Sequence, residues 1–125
     1  LSPANAAEDN PLGLPRSARL RKTRDIQRIQ RQGRRIRSSN LMVLFSPSCA
    51  GQFRVALTVS RKVGNAVVRN RVKRWIREAV RQQMAIIPNG FDFVVIAHPQ
   101  ASQIGLSGIS GELHTAWSKM KEVRS

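Results

Sequence analysis

From Val67 to Met84 the apolar residues Val68, Val72, Trp75, Ile76, Ala79, Val80 and Met84 recur at spacings of three and four. Only a helix gathers such a series on one side, so this stretch constrains the fold more than any other. Arg69, Lys73, Arg77 and Arg81 lie four apart on the remaining surface, with Arg74 beside them. A ladder of like charges at that spacing costs an isolated helix roughly 0.2–0.5 kcal/mol per pair. Cationic solvent faces normally interleave glutamate, and here Glu78 is the sole acid, so the ladder points to a polyanion. Ahead of it, Ser60-Arg61-Lys62-Val63-Gly64-Asn65-Ala66 brings two cations and a glycine to a helix entrance. Free N–H groups and the positive dipole end welcome phosphate there.

The charge of the whole chain agrees. Its 125 residues suit one compact domain, and 41% are hydrophobic, enough for a core. Twenty-two Lys and Arg stand against seven Asp and Glu, a formal charge of +15, which works against compaction unless a polyanion is bound. Most of these cations are Arg, whose planar fork suits phosphate and stacks on bases. An anionic membrane surface is the competitor, but no stretch approaches the roughly 18–20 apolar residues of a spanning helix. Cys49 is the single cysteine, which excludes an internal disulfide or a cysteine-based zinc cluster and reads as intracellular. Residues 1–15 show no signal-peptide pattern, and the lack of an initiating Met reads as a truncated or processed chain. His98 and His114 have no metal-ligand spacing.

Leu1 to Pro15 is rich in Pro, Ala, Asn and Gly without periodicity and reads as a disordered arm, leaving residues 16–125 as a single polyanion-binding domain. A short helix is expected from Thr23, as N-cap, to Gly33, as C′ residue, with Ile26 and Ile29 inward. Ten basic residues fall between Arg16 and Arg37 against Asp25 alone, again more than solubility needs. Leu41–Ser46 and Phe53–Ser60 read as two strands forming an antiparallel hairpin, with a possible extra strand near Ile36. Phe91–Ala97 reads as a buried strand. Leu106, Ile109, Leu113, Trp117 and Met120 form the stripe of a last helix that leaves Lys119 and Lys121 exposed.

The run Lys62-Val63-Gly64-Asn65-Ala66-Val67-Val68-Arg69-Asn70-Arg71-Val72-Lys73-Arg74, followed by Arg77-Glu78, resembles the signature of the protein component of bacterial ribonuclease P. Leu20–Gly33 resembles that family's opening helix, Arg54–Ser60 its central strand and Phe91–Ala97 its last strand. The likeness spans about Leu20 to Lys121. It implies an α+β, α-β-β-(β)-α-β-α two-layer sandwich with a mainly antiparallel sheet and a left-handed β-α-β crossover, the reverse of the usual hand.

The resemblance further implies an endoribonuclease that acts as a ribonucleoprotein, removing the 5′ leader of precursor tRNA. The catalytic groups and Mg2+ then belong to the RNA subunit, and the protein, cytoplasmic and monomeric within the holoenzyme, carries none. The residues agree: the acids form no cluster for two metal ions, and Asp25, Glu78 and Asp92 read as helix or loop residues. By residue-to-residue match, Arg61, Lys62, Asn65, Arg69, Asn70, Arg71, Lys73, Arg74 and Arg77 would face the catalytic RNA through its phosphates. Ile26, Gln30, Arg35, Met42 and Leu44 would line the leader cleft. The family commonly has aromatics at the positions of Ile26, Gln30 and Leu44, whereas this chain has no Tyr at all. Charge and layout alone also suit a ribosomal or other structural RNA-binding protein. An independent nuclease is disfavoured by the scattered acids.

Overall fold

The computed structural model describes residues 16–48 and 51–124. The arm expected at residues 1–15, Cys49 and the Lys121 side chain lie outside the described residues. The elements run α1 (Thr23–Gln32), β1 (Arg34–Arg37), β2 (Leu41–Pro47), β3 (Arg54–Val59), α2 (Ala66–Gln82), β4 (Phe91–Ala97) and α3 (Gly105–Arg124), with short 3-10 turns at Arg16–Ala18, Arg61–Val63 and Pro99–Gln103. The strand expected near Ile36 is β1.

The sheet order is β1-β2-β4-β3. β1 and β2 form the antiparallel hairpin, β2 pairs antiparallel with β4, and β3 pairs with β4 in parallel. The expected hairpin between β2 and β3 is therefore wrong, because the last strand inserts between them. Nothing in the alternation of two adjacent runs reveals a partner that lies some thirty residues downstream.

Strand periodicity divides the side chains between two faces. Leu41, Val43 and Phe45 of β2, Val55 and Val59 of β3, and Phe93, Val95 and Ala97 of β4 join Val72, Ile76, Ala79 and Val80 of α2 in one core, completed by Ile109, Leu113, Trp117 and Met120 of α3. Trp117 stands edge-on to Phe93, with ring centroids 5.0 Å apart, and donates its indole N–H to Gln83 Oε1 at 2.9 Å. The opposite face carries α1 over a smaller cluster of Leu20, Ile29, Leu44, Ala56 and Val94, with Ile26, Met42 and Ile96 only partly covered. The architecture is thus an α+β sandwich on a mixed sheet, with one thickly covered face and one thinly covered face.

Two glycines fix how the helices meet the sheet. Gly33 closes α1 at φ −70° rather than in the left-handed conformation expected of a C′ residue. Its need is closeness, since a Cβ there would lie 2.6 Å from the Ile29 carbonyl oxygen and 3.0 Å from that of Phe45. Gly64 combines φ +155° with a Cβ position 2.8 Å from Val68 Cγ1, so both backbone and packing require glycine before α2. Thr23 is the first residue of α1 rather than its N-cap; Lys22 takes that position without a side-chain cap bond.

Candidate nucleic-acid interface

α2 carries Arg69, Arg71, Lys73, Arg74, Arg77 and Arg81 against Glu78 alone. Residues four apart advance about 40° around a helix, so the cations wrap the outer half of α2 rather than forming one straight stripe. Arg69, Lys73 and Arg77 sit half-buried along its flank, while Asn70, Arg71 and Arg74 stand exposed on the crest. Glu78 engages Arg81 through two hydrogen bonds, the one from Nε at 3.0 Å, and accepts a third from Gln82. The Arg81 hydrogen bonds are the main reason the Glu78 carboxyl is held below the usual carboxylate range. Arg81 is thereby occupied, and the other five cations of α2 make no ion pair among the described residues. Arg69 Nε is shielded and has no hydrogen-bond partner among the described residues, an arrangement that is uncommon for a buried donor.

Arg61 and Lys62 lie exposed in the turn leading to α2, where the Ser60 hydroxyl accepts the Lys62 N–H at 3.3 Å. Asn65 caps the helix, its Oδ1 accepting the Val68 N–H at 3.0 Å. One of the N–H groups expected to meet phosphate is therefore already satisfied, and Asn65 has a local structural task.

On the thin face, Arg35 stands opposite Leu44 and Arg37 opposite Met42, while Met42 and Leu44 pair with Ile96 and Val94 of β4. Ile26, Met42, Leu44 and Arg35 therefore share this face, and Gln30 is half-buried on α1 next to it. Leu44 is 1% exposed and belongs to the packed floor under α1. At the other side of this face Arg54 donates two hydrogen bonds of 2.7 Å to the Asp92 carboxylate. Asp92 is fully buried in β4, which corrects its reading as a helix or loop residue. Among the described residues no group of three or more His, Cys, Asp or Glu is placed to hold a metal ion.

A family model described as Ribonuclease P matches residues 14–121. A ribonuclease P protein component from Brevibacillus brevis is 40% identical over 113 residues, 89% of each chain. The chain belongs to the ribonuclease P protein family. The solved ribonuclease P protein of Staphylococcus aureus superposes with a TM-score of 0.75 at 31% identity, over 83% of this chain and 95% of the other. That of Thermotoga maritima gives 0.74 at 32% identity, over 81% and 96%. Membership in this family is consistent with a role in tRNA 5′ maturation as a ribonucleoprotein component.

Within this family frame, the structure gathers the expected RNA-facing residues into one patch running from the Arg61–Val63 turn along α2. It also shows residues that the sequence reading passed over. Arg37, exposed two positions beyond Arg35 and therefore on the same face, was identifiable from the period of two. Ile96 and the Arg54–Asp92 pair were not, because they depend on which strand lies next to which.

Proposed function

We propose that this chain is the protein subunit of ribonuclease P, binding the catalytic RNA along α2 and the 5′ leader of precursor tRNA on the thin sheet face. The observation that carries this reading is the set of five cations on α2 with no carboxylate partner among the described residues, together with an Arg69 Nε that has no hydrogen-bond partner among them. Arg61, Lys62, Asn65, Arg69, Asn70, Arg71, Lys73, Arg74 and Arg77 act by neutralising and positioning phosphates rather than by reading bases. Asn65 contributes by holding the helix start. Ile26, Gln30, Arg35, Met42 and Leu44, with Arg37, form the leader side; Leu44 serves as floor. Chemistry would reside in the RNA subunit, where bound Mg2+ would supply the activation of water, and the cations of this chain would lower the Mg2+ needed by screening RNA–RNA repulsion. The assembly works in the cytoplasm with one copy of the chain.

The test is cleavage of precursor tRNA at low Mg2+ by a bacterial catalytic RNA, with and without this protein. Stimulation of leader removal is expected, and its absence would overturn the reading. Arg69→Ala and Lys73→Ala should each weaken catalytic-RNA binding and lower the slope of log K against log salt by about 0.7–0.9. An unchanged slope in a filter-binding series would place the contact elsewhere.

A further inference from the structure

A shallow depression of about 420 Å3 opens beside α1, lined by Ser17, Arg19, Arg21, Lys22 and Arg54. It lies on the β3 side of the molecule, away from Arg35 and Arg37 on β1, and it belongs neither to the α2 patch nor to the leader residues assigned above. Its walls are held by two backbone contacts and one side-chain hydrogen bond. Arg19 bridges Val55 in parallel register, the Leu20 N–H donates to the Val55 carbonyl at 2.9 Å, and Gln52 Nε2 donates to the Ser17 carbonyl at 3.2 Å.

Arg54 is the organised element of this depression. Asp92 takes its Nε and one terminal nitrogen in a side-on pair, both at 2.7 Å. A guanidinium has five N–H donors, so the second terminal nitrogen keeps its donors in a fixed direction. The Asp92 hydrogen bond is also the main reason the Arg54 guanidinium is held even more firmly protonated than usual. Asp25, in the first turn of α1, acts on Arg54 through its charge as well. Among the described residues the lining cations Arg21, Lys22 and Arg54, with Arg19, outnumber the carboxylates of Asp92 and Asp25. An arginine clamped by a fully buried carboxylate and ringed by three further cations is a preorganised receptor for a tetrahedral oxyanion.

We propose that the Arg19–Arg21–Lys22–Arg54 depression binds one phosphodiester group of an RNA backbone, at the β3 edge of the thin face and separate from both α2 and the leader residues assigned above. The proposal rests on the reading of the chain as an RNA-binding subunit. Arg54 supplies the directional donors, and Arg21 and Lys22, both exposed, supply charge from the mouth of the depression. The phosphate belongs to the catalytic RNA or to the precursor, and binding measurements with each tell which.

The test uses the full chain and the double variant Arg21→Gln/Lys22→Gln, whose positions are exposed and leave the core untouched. Inorganic phosphate, titrated at constant ionic strength, should move the Arg54 Nε–Hε NMR resonance saturably in the parent. In the double variant the apparent Kd should rise about fivefold or more. A resonance that does not respond, or a variant that titrates like the parent, overturns the site. Affinity for catalytic RNA, and for precursor tRNA with and without its leader, is then compared between the two proteins. A loss of about threefold or more for catalytic RNA, or for the leader-bearing precursor alone, supports the site and identifies its RNA; no loss for either overturns it. Because Arg69 and Lys73 are intact in the double variant, cleavage stimulation at low Mg2+ that persists alongside unchanged RNA affinity would remove this inference and leave the proposed function standing.

Discussion

The two faces of the sheet are built from alternate residues of the same strands, yet they do different work. On the face under α2 and α3, Trp117, Phe93, Ile76 and Leu113 are all sealed. On the face under α1, five residues are sealed, while Ile26, Met42 and Ile96 remain partly open, bordered by exposed Arg35 and Arg37. Because buried apolar area provides most of the drive to fold, the thick face carries the stability. The thin face keeps apolar and cationic side chains near solvent, an arrangement that suits the single-stranded leader proposed to bind there.

The sharpest way to break this comparison is to empty one site on each face. Trp117→Ala should cost about 3–5 kcal/mol in urea unfolding, with Gln83 losing its partner as well, whereas Met42→Ala should cost less than about 2 kcal/mol. Equal losses would abolish the distinction. Gly33→Ala tests the joint where the chain passes from α1 to β1. The 2.6 Å approach to the Ile29 carbonyl must be relieved by backbone movement, at about 1–3 kcal/mol in the same assay.

A smaller gain sharpens the thin face. Ile26→Phe places an aromatic on its partly open part and should tighten binding of a single-stranded leader oligonucleotide by about 1 kcal/mol, the low end for base stacking. Fluorescence anisotropy showing no gain would mean that the leader does not reach this position.

The smallest effect concerns the tie between α3 and the β1–β2 turn. Ser38 Oγ, Asn40 N–H and Asn40 Nδ2 donate to the Glu112 carboxylate at 2.6, 2.9 and 2.8 Å. Burial pushes Glu112 upward, but these bonds outweigh it and hold the carboxyl below its ordinary value. A lowered folded-state pKa stabilises the protein above the unfolded glutamate value of about 4.3, and that stability is lost as pH falls through the folded value. Glu112→Gln should therefore cost about 1 kcal/mol near neutrality, with the difference from the parent shrinking in acid. A pH-independent difference in thermal unfolding would contradict this.

Much of the frame was readable because it depends on local period. The stripe from Val68 to Val80 announced α2, the run Phe91–Ala97 announced β4, and Ile109 to Met120 announced α3. The β2–β3 hairpin failed for the opposite reason: strand pairing is a relation between distant segments, and adjacency in sequence is only a prior. The candidate RNA surface followed the same division. Charge and spacing marked the cations of α2, but the capping role of Asn65, the capture of Arg81 by Glu78 and the sealing of Leu44 became visible only in three dimensions. Arg54 and Asp92 are 38 positions apart and meet only because β3 and β4 lie side by side.

The insertion of β4 between β2 and β3 has a consequence for how the molecule comes into being. On the ribosome, β1 and β2 emerge early and can pair at once, but β3 has no neighbour in the sheet until residues 91–97 have been made. The nascent chain therefore carries an unmatched strand, and then a highly cationic helix, until β4 has been made, an interval in which cellular polyanions compete with its own last strand. Such long-range closure slows folding, and it makes completion of the chain, rather than collapse of its first half, the event that creates the native molecule.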